Sequence, residues 1–186
     1  NKDFIQEMKE SALKALEWID KYGDLDDDGY IEYKRRSPNG LDNQCWKDSD
    51  ISILFSNSKK AEAPIATCEI QGYVYDAKLK TAYLAENIWN DQELAIRLRN
   101  EANNLKKRFN RDFWIDDKGG YFALALDKDK NKVDSMTSNM GQLLWSGIVD
   151  KDKAEIIVKQ LMSDNLYSGW GIRTMSEGDY GYNPIQ

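Results

Sequence analysis

The sequence predicts an all-α fold, a partial helical toroid that carries a small β-hairpin insertion. Three observations favour this class. Long segments place apolar residues at the spacing of one helix face, segments that are apolar on most sides alternate with segments that have a single apolar stripe, and polar loops separate them. Such alternation is typical of inner and outer helices that surround one axis. A plain helical bundle is the alternative that the pattern leaves open.

The first half of the chain contains three of the predicted helices. The first spans residues 3–21 and ends at Gly23, a residue that favours helix termination. Residues 24–62 are rich in Asp, Asn, Ser and Gly and are predicted to be irregular, apart from a short strand at 30–33. A helix over 65–87 is apolar on most sides in its first half, which predicts an inner helix, and a helix over 91–109 has one apolar seam, which predicts an outer one.

The second half begins with strand-like segments. Residues 121–126 are followed by a polar turn and by residues 132–134, a pattern that predicts a β-hairpin. A fourth helix over 140–148 is again apolar on most sides, and a fifth over 150–162 has one apolar face. The remaining residues have the composition of loops and turns.

Composition excludes several classes of function. The 186 residues are 41% hydrophobic and 31% charged, which fits a single domain with a sizeable core. The net charge of -6 argues against a nucleic-acid-binding surface. No window holds 18 apolar residues, so no membrane span is predicted. Histidine is absent, which excludes Ser-His-Asp and Cys-His nucleophiles and His-ligated zinc.

The cysteines and the start of the chain predict the compartment. Cys45 and Cys68 lie in ordinary segments and are interpreted as free thiols in a reducing environment. The first residues form an amphipathic helix instead of a signal peptide. We therefore expect a cytoplasmic location.

The loop from Ser37 to Ser49 is the first candidate for a functional site. It is rich in turn-forming residues and presents Trp46, Lys47 and Asp48 in succession. An indole offers a flat apolar face for a sugar ring, and it can remove water from a neighbouring acid, which suits a general acid. A packing Trp flanked by solvated charges is the alternative.

Five segments of the chain, taken together and in order, carry a resemblance to one family. They are Asn39–Leu41 with Asn43–Gln44 and Trp46–Ser49, Glu69–Tyr75, Thr137–Asn139 with Gly141 and Leu143–Trp145, Ser168–Thr174, and Tyr182–Ile185. These segments resemble the amylo-alpha-1,6-glucosidase or glycogen-debranching-like glycoside hydrolases, which are similar to the mannosylglycerate-hydrolase-like glycosidases with an (α/α)6 barrel. Two positions depart from the family pattern: Cys45 replaces a glycine, and Gln142 stands where a histidine is common.

The resemblance implies that residues 1–186 form a single but incomplete portion of a larger catalytic barrel. It implies inverting hydrolysis of an α-glucosidic bond, of the α-1,6 debranching type or a related linkage, with Asp48 as general acid. The second carboxylate that the reaction needs lies beyond the matched segments, so the chain alone is expected to be inactive. The expected partner is an oligosaccharide or a small glycoside, and no cofactor is required.

The resemblance and the residue chemistry also propose a sugar-binding set. Three alternatives stay open: Asn139 could serve only as a helix cap, Trp170 and Arg173 could form a structural pair, and Glu69 and Gln71 point about 200° apart unless the helix begins between them. The proposed substrate-binding residues are Trp46, Lys47, Glu69, Gln71, Asn139, Trp170 and Arg173.

An acidic loop gives a competing motif. Asp24, Asp26 and Asp28, followed by Gly29, match the first positions of a calcium-binding EF-hand loop. The twelfth position, which should be Glu, is Arg35, so a weakly bound Ca²⁺ is the most that the motif predicts. Two other functions stay open: a non-catalytic carbohydrate-binding module and a calcium-dependent helical module.

Overall fold

A computed structural model describes residues 1–184; Ile185, the last residue of the fifth matching segment, lies outside the described residues. Within that range the chain is mostly helical. The first predicted helix is divided at Met8, which ends one helix and precedes the next. The helices are α1 (Lys2–Glu7), α2 (Lys9–Tyr22), α3 (Cys68–Asn87), α4 (Gln92–Asp112), α5 (Met140–Ser146) and α6 (Lys151–Leu161).

The helices α3 and α5 are inner elements, and α4 and α6 pack against them from outside. Gly72 brings α3 close to α5, since a Cβ atom there would lie 2.7 Å from Ser146 Oγ. The outer helix α4 buries one seam, which includes Leu98, Ala102 and Phe109, as its apolar spacing predicted. The alternation of inner and outer helices is therefore confirmed, and the fold is a partial toroid.

Two small antiparallel sheets close one end of this arrangement. One has the order β1 (Ala66–Thr67), β4 (Ala125–Leu126) and β5 (Lys132–Val133); the other pairs β2 (Trp114–Ile115) with β3 (Tyr121–Phe122). The predicted hairpin is confirmed as β4–β5. The predicted strand over 121–126 is wrong in one respect, because its two ends pair in different sheets.

The short strand predicted at residues 30–33 is reduced to one bridge between Tyr33 and Ile65. The physical reason is that Ile31 exchanges both backbone hydrogen bonds with a side chain: Ile31 N donates to Gln71 Oε1 (2.9 Å), and Gln71 Nε2 donates to Ile31 O (2.7 Å). An amide side chain thus takes the position of a neighbouring strand.

The start of α3 is fixed from the sheet side. Strand β1 runs directly into α3, and Cys68 N donates to Leu124 O at 3.0 Å. A stack of Phe109, Phe113 and Phe122, with ring centres 4.6 and 5.1 Å apart, fills the core behind it. The first turn of α3 is thereby held rigidly against the start of α5. No helix within residues 1–184 has the length and apolar character that crossing a bilayer requires.

Candidate functional site

Glu69, in the first turn of α3, is the centre of the candidate site. The residue is only 1% exposed. Its Oε2 accepts a hydrogen bond from Asn139 Nδ2 (3.1 Å) and lies 3.6 Å from Cys68 Sγ. Its Oε1 is buried and has no hydrogen-bond partner among the described residues. A buried carboxylate with an unused oxygen is costly unless a ligand or water completes it.

Two neighbours of Glu69 carry unpartnered oxygens as well. Within residues 1–184, five buried side-chain atoms lack a hydrogen-bond partner, and three of them are Glu69 Oε1, Asn139 Oδ1 and Thr67 Oγ1. Asn139 precedes α5 but makes no side-chain cap bond, so the helix-cap alternative does not describe its side chain. The carboxyl oxygen Glu69 Oε1 and the amide oxygen Asn139 Oδ1 are acceptors that a donor such as a hydroxyl group would satisfy, whereas the Thr67 hydroxyl can donate as well as accept.

The electrostatics of nearby groups reflect this carboxyl. Burial raises the pKa of Glu69, and its hydrogen bonds from Asn139 and Cys68 oppose that rise only in part. Burial also raises the pKa of Tyr33, and the charges of Cys45 and Glu69 raise it further. These shifts show which side chains lie within electrostatic reach of Glu69.

Lys47 brings the loop of residues 37–49 to this region. Burial lowers the pKa of Lys47, and the charge of Glu69 opposes that effect. Lys47 Nζ donates to Thr174 O at 3.0 Å and lies 4.8 Å from the centre of the Trp46 ring. A single ammonium group thus connects the loop with the segment around Thr174, near Glu69.

Asp48 and Trp46 are placed differently from the expectation. Trp46 is 51% exposed, and Asp48 is exposed as well. The expected shielding of Asp48 by the indole is therefore absent in this structure, because the ammonium of Lys47 lies against the ring of Trp46. Asp48 follows Lys47 directly in the chain.

The segment with Trp170 is a closed turn. A bridge joins Tyr167 to Ile172, and the Ser168 hydroxyl accepts hydrogen bonds from the backbone of Trp170 (3.3 Å) and Gly171 (3.2 Å). Trp170 is 98% exposed at its tip. The turn therefore presents an indole to solvent, which suits a ligand contact better than core packing.

Two members of the predicted sugar-binding set are occupied within the protein. Arg173 pairs with Glu177 at 2.7 Å and donates to Asp164 O at 3.1 Å, so the expected pair with Trp170 does not form. Gln71 is fully buried and bonds to the backbone of Ile31. The structure gives Gln71 the role of a structural tie, because α3 begins at Cys68 and its helical geometry turns Gln71 away from Glu69.

Asn43 is a structural residue that sequence reasoning missed. It is 5% exposed; its Nδ2 donates to Ser49 O (2.7 Å), and its Oδ1 accepts from Tyr33 OH (2.9 Å). These bonds hold the loop that carries Lys47 and Asp48. An asparagine in a turn-rich loop is a usual signal of such a tie, but its partners are fixed only in three dimensions.

The acidic loop lies in a separate region. Ligand oxygens of Asp24, Asp26 and Asp28 fall within 4.8 Å of one another. The ammonium of Lys130 lies among them, 2.7 Å from Asp26 Oδ2 and 2.7 Å from Asp28 Oδ2. The same nitrogen is 2.5 Å from Glu32 Oε1.

Comparison with known proteins decides the family. The family model described as amylo-alpha-1,6-glucosidase matches residues 21–186. The chain belongs to the amylo-alpha-1,6-glucosidase family. The resemblance inferred from the five segments is thereby confirmed, and the chain is glycoside-hydrolase-like. A search of curated proteins found no match.

Solved structures establish the fold of this family member. A sialidase aligns with a TM-score of 0.67 and 18% identity over 95% of this chain and 15% of its own. Neutral trehalase Nth1 from Saccharomyces cerevisiae aligns with a TM-score of 0.57 and 17% identity over 74% of this chain and 26% of its own. The chain therefore spans only a small part of the length of these (α/α)6 structures.

Proposed function

We propose that this chain is the part of an inverting glycoside hydrolase that supplies the general acid, Asp48, and part of the sugar pocket. The proposed substrate is an oligosaccharide or small glycoside with an α-glucosidic bond, of the α-1,6 debranching type. The observation that carries the proposal is the pair of unpartnered acceptor oxygens Glu69 Oε1 and Asn139 Oδ1. It rests as well on the membership of residues 21–186 in the amylo-alpha-1,6-glucosidase family.

Sugar hydroxyls can supply the hydrogen-bond donors that the unpartnered oxygens of the candidate site lack. Each hydroxyl donates one hydrogen bond and accepts others. Glu69 Oε1 and Asn139 Oδ1 are buried in this structure, so the proposal requires the side chains above them to move before ring hydroxyls can donate to them. Lys47 can donate to a further oxygen, since an ammonium group carries three donors. The exposed indoles of Trp46 and Trp170 supply flat apolar faces for the rings.

The proton donor in this scheme is Asp48, an exposed residue that follows Lys47 in the chain. It would protonate the leaving oxygen, while a carboxylate on another part of the barrel activates water. In inverting enzymes the two carboxyl groups stand about 6.5–9.5 Å apart, which leaves room for that water. The 186-residue chain is proposed to lack the second group and to hydrolyse nothing by itself.

Glu69 is a second candidate for the acid. Burial raises the pKa of its carboxyl, which is the property that a general acid needs, whereas Asp48 is exposed. If Glu69 donates the proton, Asp48 becomes a residue that binds a hydroxyl. A non-catalytic carbohydrate-binding role is the remaining alternative, and it requires the same acceptor oxygens.

Titration calorimetry with isomaltose, an α-1,6-linked disaccharide, tests the proposal. We expect the wild-type chain to bind it with a Kd of about 1 mM, which corresponds to about -4 kcal/mol. Asn139→Ala should weaken binding about fivefold, because one hydrogen bond contributes about 1 kcal/mol. Tyr83→Ala, at an exposed position of α3, is the control and should bind like wild type. A folded chain that binds neither isomaltose nor maltose would contradict the proposal.

Hydrolysis assays separate the catalytic roles. The 186-residue chain should release no glucose from isomaltose. Turnover that is lost in Asp48→Asn would overturn the proposed dependence on a second carboxylate and support Asp48 as the acid. Turnover that survives in Asp48→Asn but is lost in Glu69→Gln would assign the acid to Glu69.

A further inference from the structure

The acidic loop at the end of α2 has a folded form that resembles a metal-binding loop. Asp24 closes it, since its Oδ1 accepts from Asp28 N (3.1 Å) and its Oδ2 accepts from Gly29 N (2.7 Å). Gly29 has a φ of +86°, a conformation that glycine adopts without strain. The backbone therefore turns the carboxylates of Asp26 and Asp28 toward one point. Acidic residues alone do not establish a cation site.

The second observation comes from a distant part of the chain. The turn between β4 and β5 inserts the ammonium of Lys130 among three carboxylates, at 2.7 Å from Asp26, 2.7 Å from Asp28 and 2.5 Å from Glu32. The number of carboxylate partners equals the number of donors on an ammonium group. Glu32 is 8% exposed, so its carboxylate would be costly without a cation.

The conformation of the turn between β4 and β5 places the Lys130 ammonium at the acidic loop. Lys130 has a φ of 61°, in the left-handed region that residues other than glycine rarely adopt. Lys130 N donates to Asp127 O at 2.9 Å, which closes the turn. Partial burial lowers the pKa of Lys130, but its bonds to Asp26, Asp28 and Glu32 outweigh burial, so the pKa is raised and the charge is retained.

We propose that Lys130 is the resident cation of the acidic loop, in the place that Ca²⁺ takes in loops of this type. The ammonium satisfies oxygens that calcium would bind at about 2.3–2.6 Å. The loop is thereby independent of metal ions, and a divalent cation can enter only when Lys130 is removed. This inference does not depend on the proposed hydrolase function.

Thermal unfolding in EDTA and in calcium chloride tests the assignment. The melting temperature of wild type should be the same in both buffers. Lys130→Met should melt about 5 °C or more below wild type in EDTA, and calcium should restore most of that loss. Adding Asp26→Asn to Lys130→Met should abolish the restoration. Lys128→Met is the matched control, because Lys128 lies in the same turn but pairs with Asp129 and Glu62.

Each other result contradicts the proposal. A rise of several degrees for wild type in calcium would show that the metal displaces the ammonium. An unchanged melting temperature for Lys130→Met in EDTA, or no response of that variant to calcium, would show that the loop has no cation position. If Lys130→Met does not fold in EDTA, Lys130→Gln, which keeps a polar side chain of similar reach, is measured under the same conditions.

Discussion

Two buried glutamates, Glu32 and Glu69, show how differently this molecule treats a carboxyl group in its interior. They are 8% and 1% exposed, and burial raises the pKa of each. Glu32 has a complete set of partners: Lys130 Nζ contacts Oε1 at 2.5 Å, and Leu25 N donates to Oε2 at 3.3 Å. Glu69 has partners on Oε2 alone, and its Oε1 has none among the described residues.

The difference separates a structural region from a functional one. At Glu32 the chain supplies its own cation, so nothing further is needed from solution. Near Glu69, the acceptor Asn139 Oδ1 and the Thr67 hydroxyl, which can donate or accept, also lack partners among the described residues. An unsatisfied buried group persists at a functional site because a ligand completes it. The five predictions that follow examine this contrast, beginning with the largest change in stability.

Glu32→Gln should lower the free energy of unfolding by about 2 kcal/mol. Breaking a fully buried ion pair costs about 3–5 kcal/mol, and a smaller loss is expected here because Lys130 is partly exposed and keeps Asp26 and Asp28. Urea denaturation measures the change. Glu62→Gln, an exposed partner of Lys128, is the control and should change stability little. Equal losses in the free energy of unfolding for Glu32→Gln and Glu62→Gln would show that the buried pair of Glu32 contributes no more than an exposed surface pair.

Glu69→Gln should have the opposite sign and raise the free energy of unfolding by about 1 kcal/mol at pH 8. The neutral amide removes a poorly paired buried charge, and its N–H supplies a donor. The same variant should bind isomaltose at least tenfold more weakly, since a bond to a charged group contributes about 1.5–3 kcal/mol. A variant that is less stable than wild type would indicate that Glu69 has a structural role like that of Glu32.

The increase in the free energy of unfolding expected for Glu69→Gln should depend on pH in one direction. Burial raises the pKa of folded Glu69 above the ordinary value of 4.5. The raised pKa of Glu69 therefore makes its full contribution to the wild-type free energy of unfolding below pH 4.5. That contribution is lost as the pH rises through the pKa of folded Glu69. The stability difference between Glu69→Gln and wild type should widen as the pH rises through that window. Urea titrations from pH 4 to pH 8 measure it, and a constant difference would contradict the assignment.

Lys47→Met should have a smaller effect on stability, a loss of about 0.5 kcal/mol, because its bond to Thr174 O is exposed. Binding of isomaltose should weaken about fivefold, since the variant removes a donor from the proposed sugar site. Lys34→Met, an exposed residue of the same region, is the control. Unchanged binding by Lys47→Met would limit Lys47 to holding the two segments together.

Trp170→Ala should have the smallest effect on stability, within about 0.5 kcal/mol of wild type, because the side chain is 98% exposed. Isomaltose affinity should nevertheless fall if the exposed indole stacks on the sugar ring as proposed. Calorimetry measures the affinity, and the isolated change in binding would distinguish a functional surface from a structural one. Equal affinity would exclude Trp170 from the sugar site.

Local patterns predicted the framework of the fold. The seam of α4 is buried as its spacing required, and the polar turn at residues 127–131 joins β4 to β5. The helical angle between Glu69 and Gln71 also held, because it depends only on the geometry of one helix. The family followed from motifs in a fixed order. Each of these features depends on residues that are close together in the chain, so the sequence alone predicts it.

Contacts between distant segments were decided only by the tertiary structure. Lys130 lies 98 residues from Glu32 in the chain, and Asn139 lies 70 residues from Glu69. Asp48 was expected beneath the indole of Trp46, but that ring lies against Lys47, which also reaches Thr174. Residue types along the chain determined which groups could carry charge or donate hydrogen bonds. Only packing determined which of them found partners, because burial and pairing depend on the whole arrangement of helices.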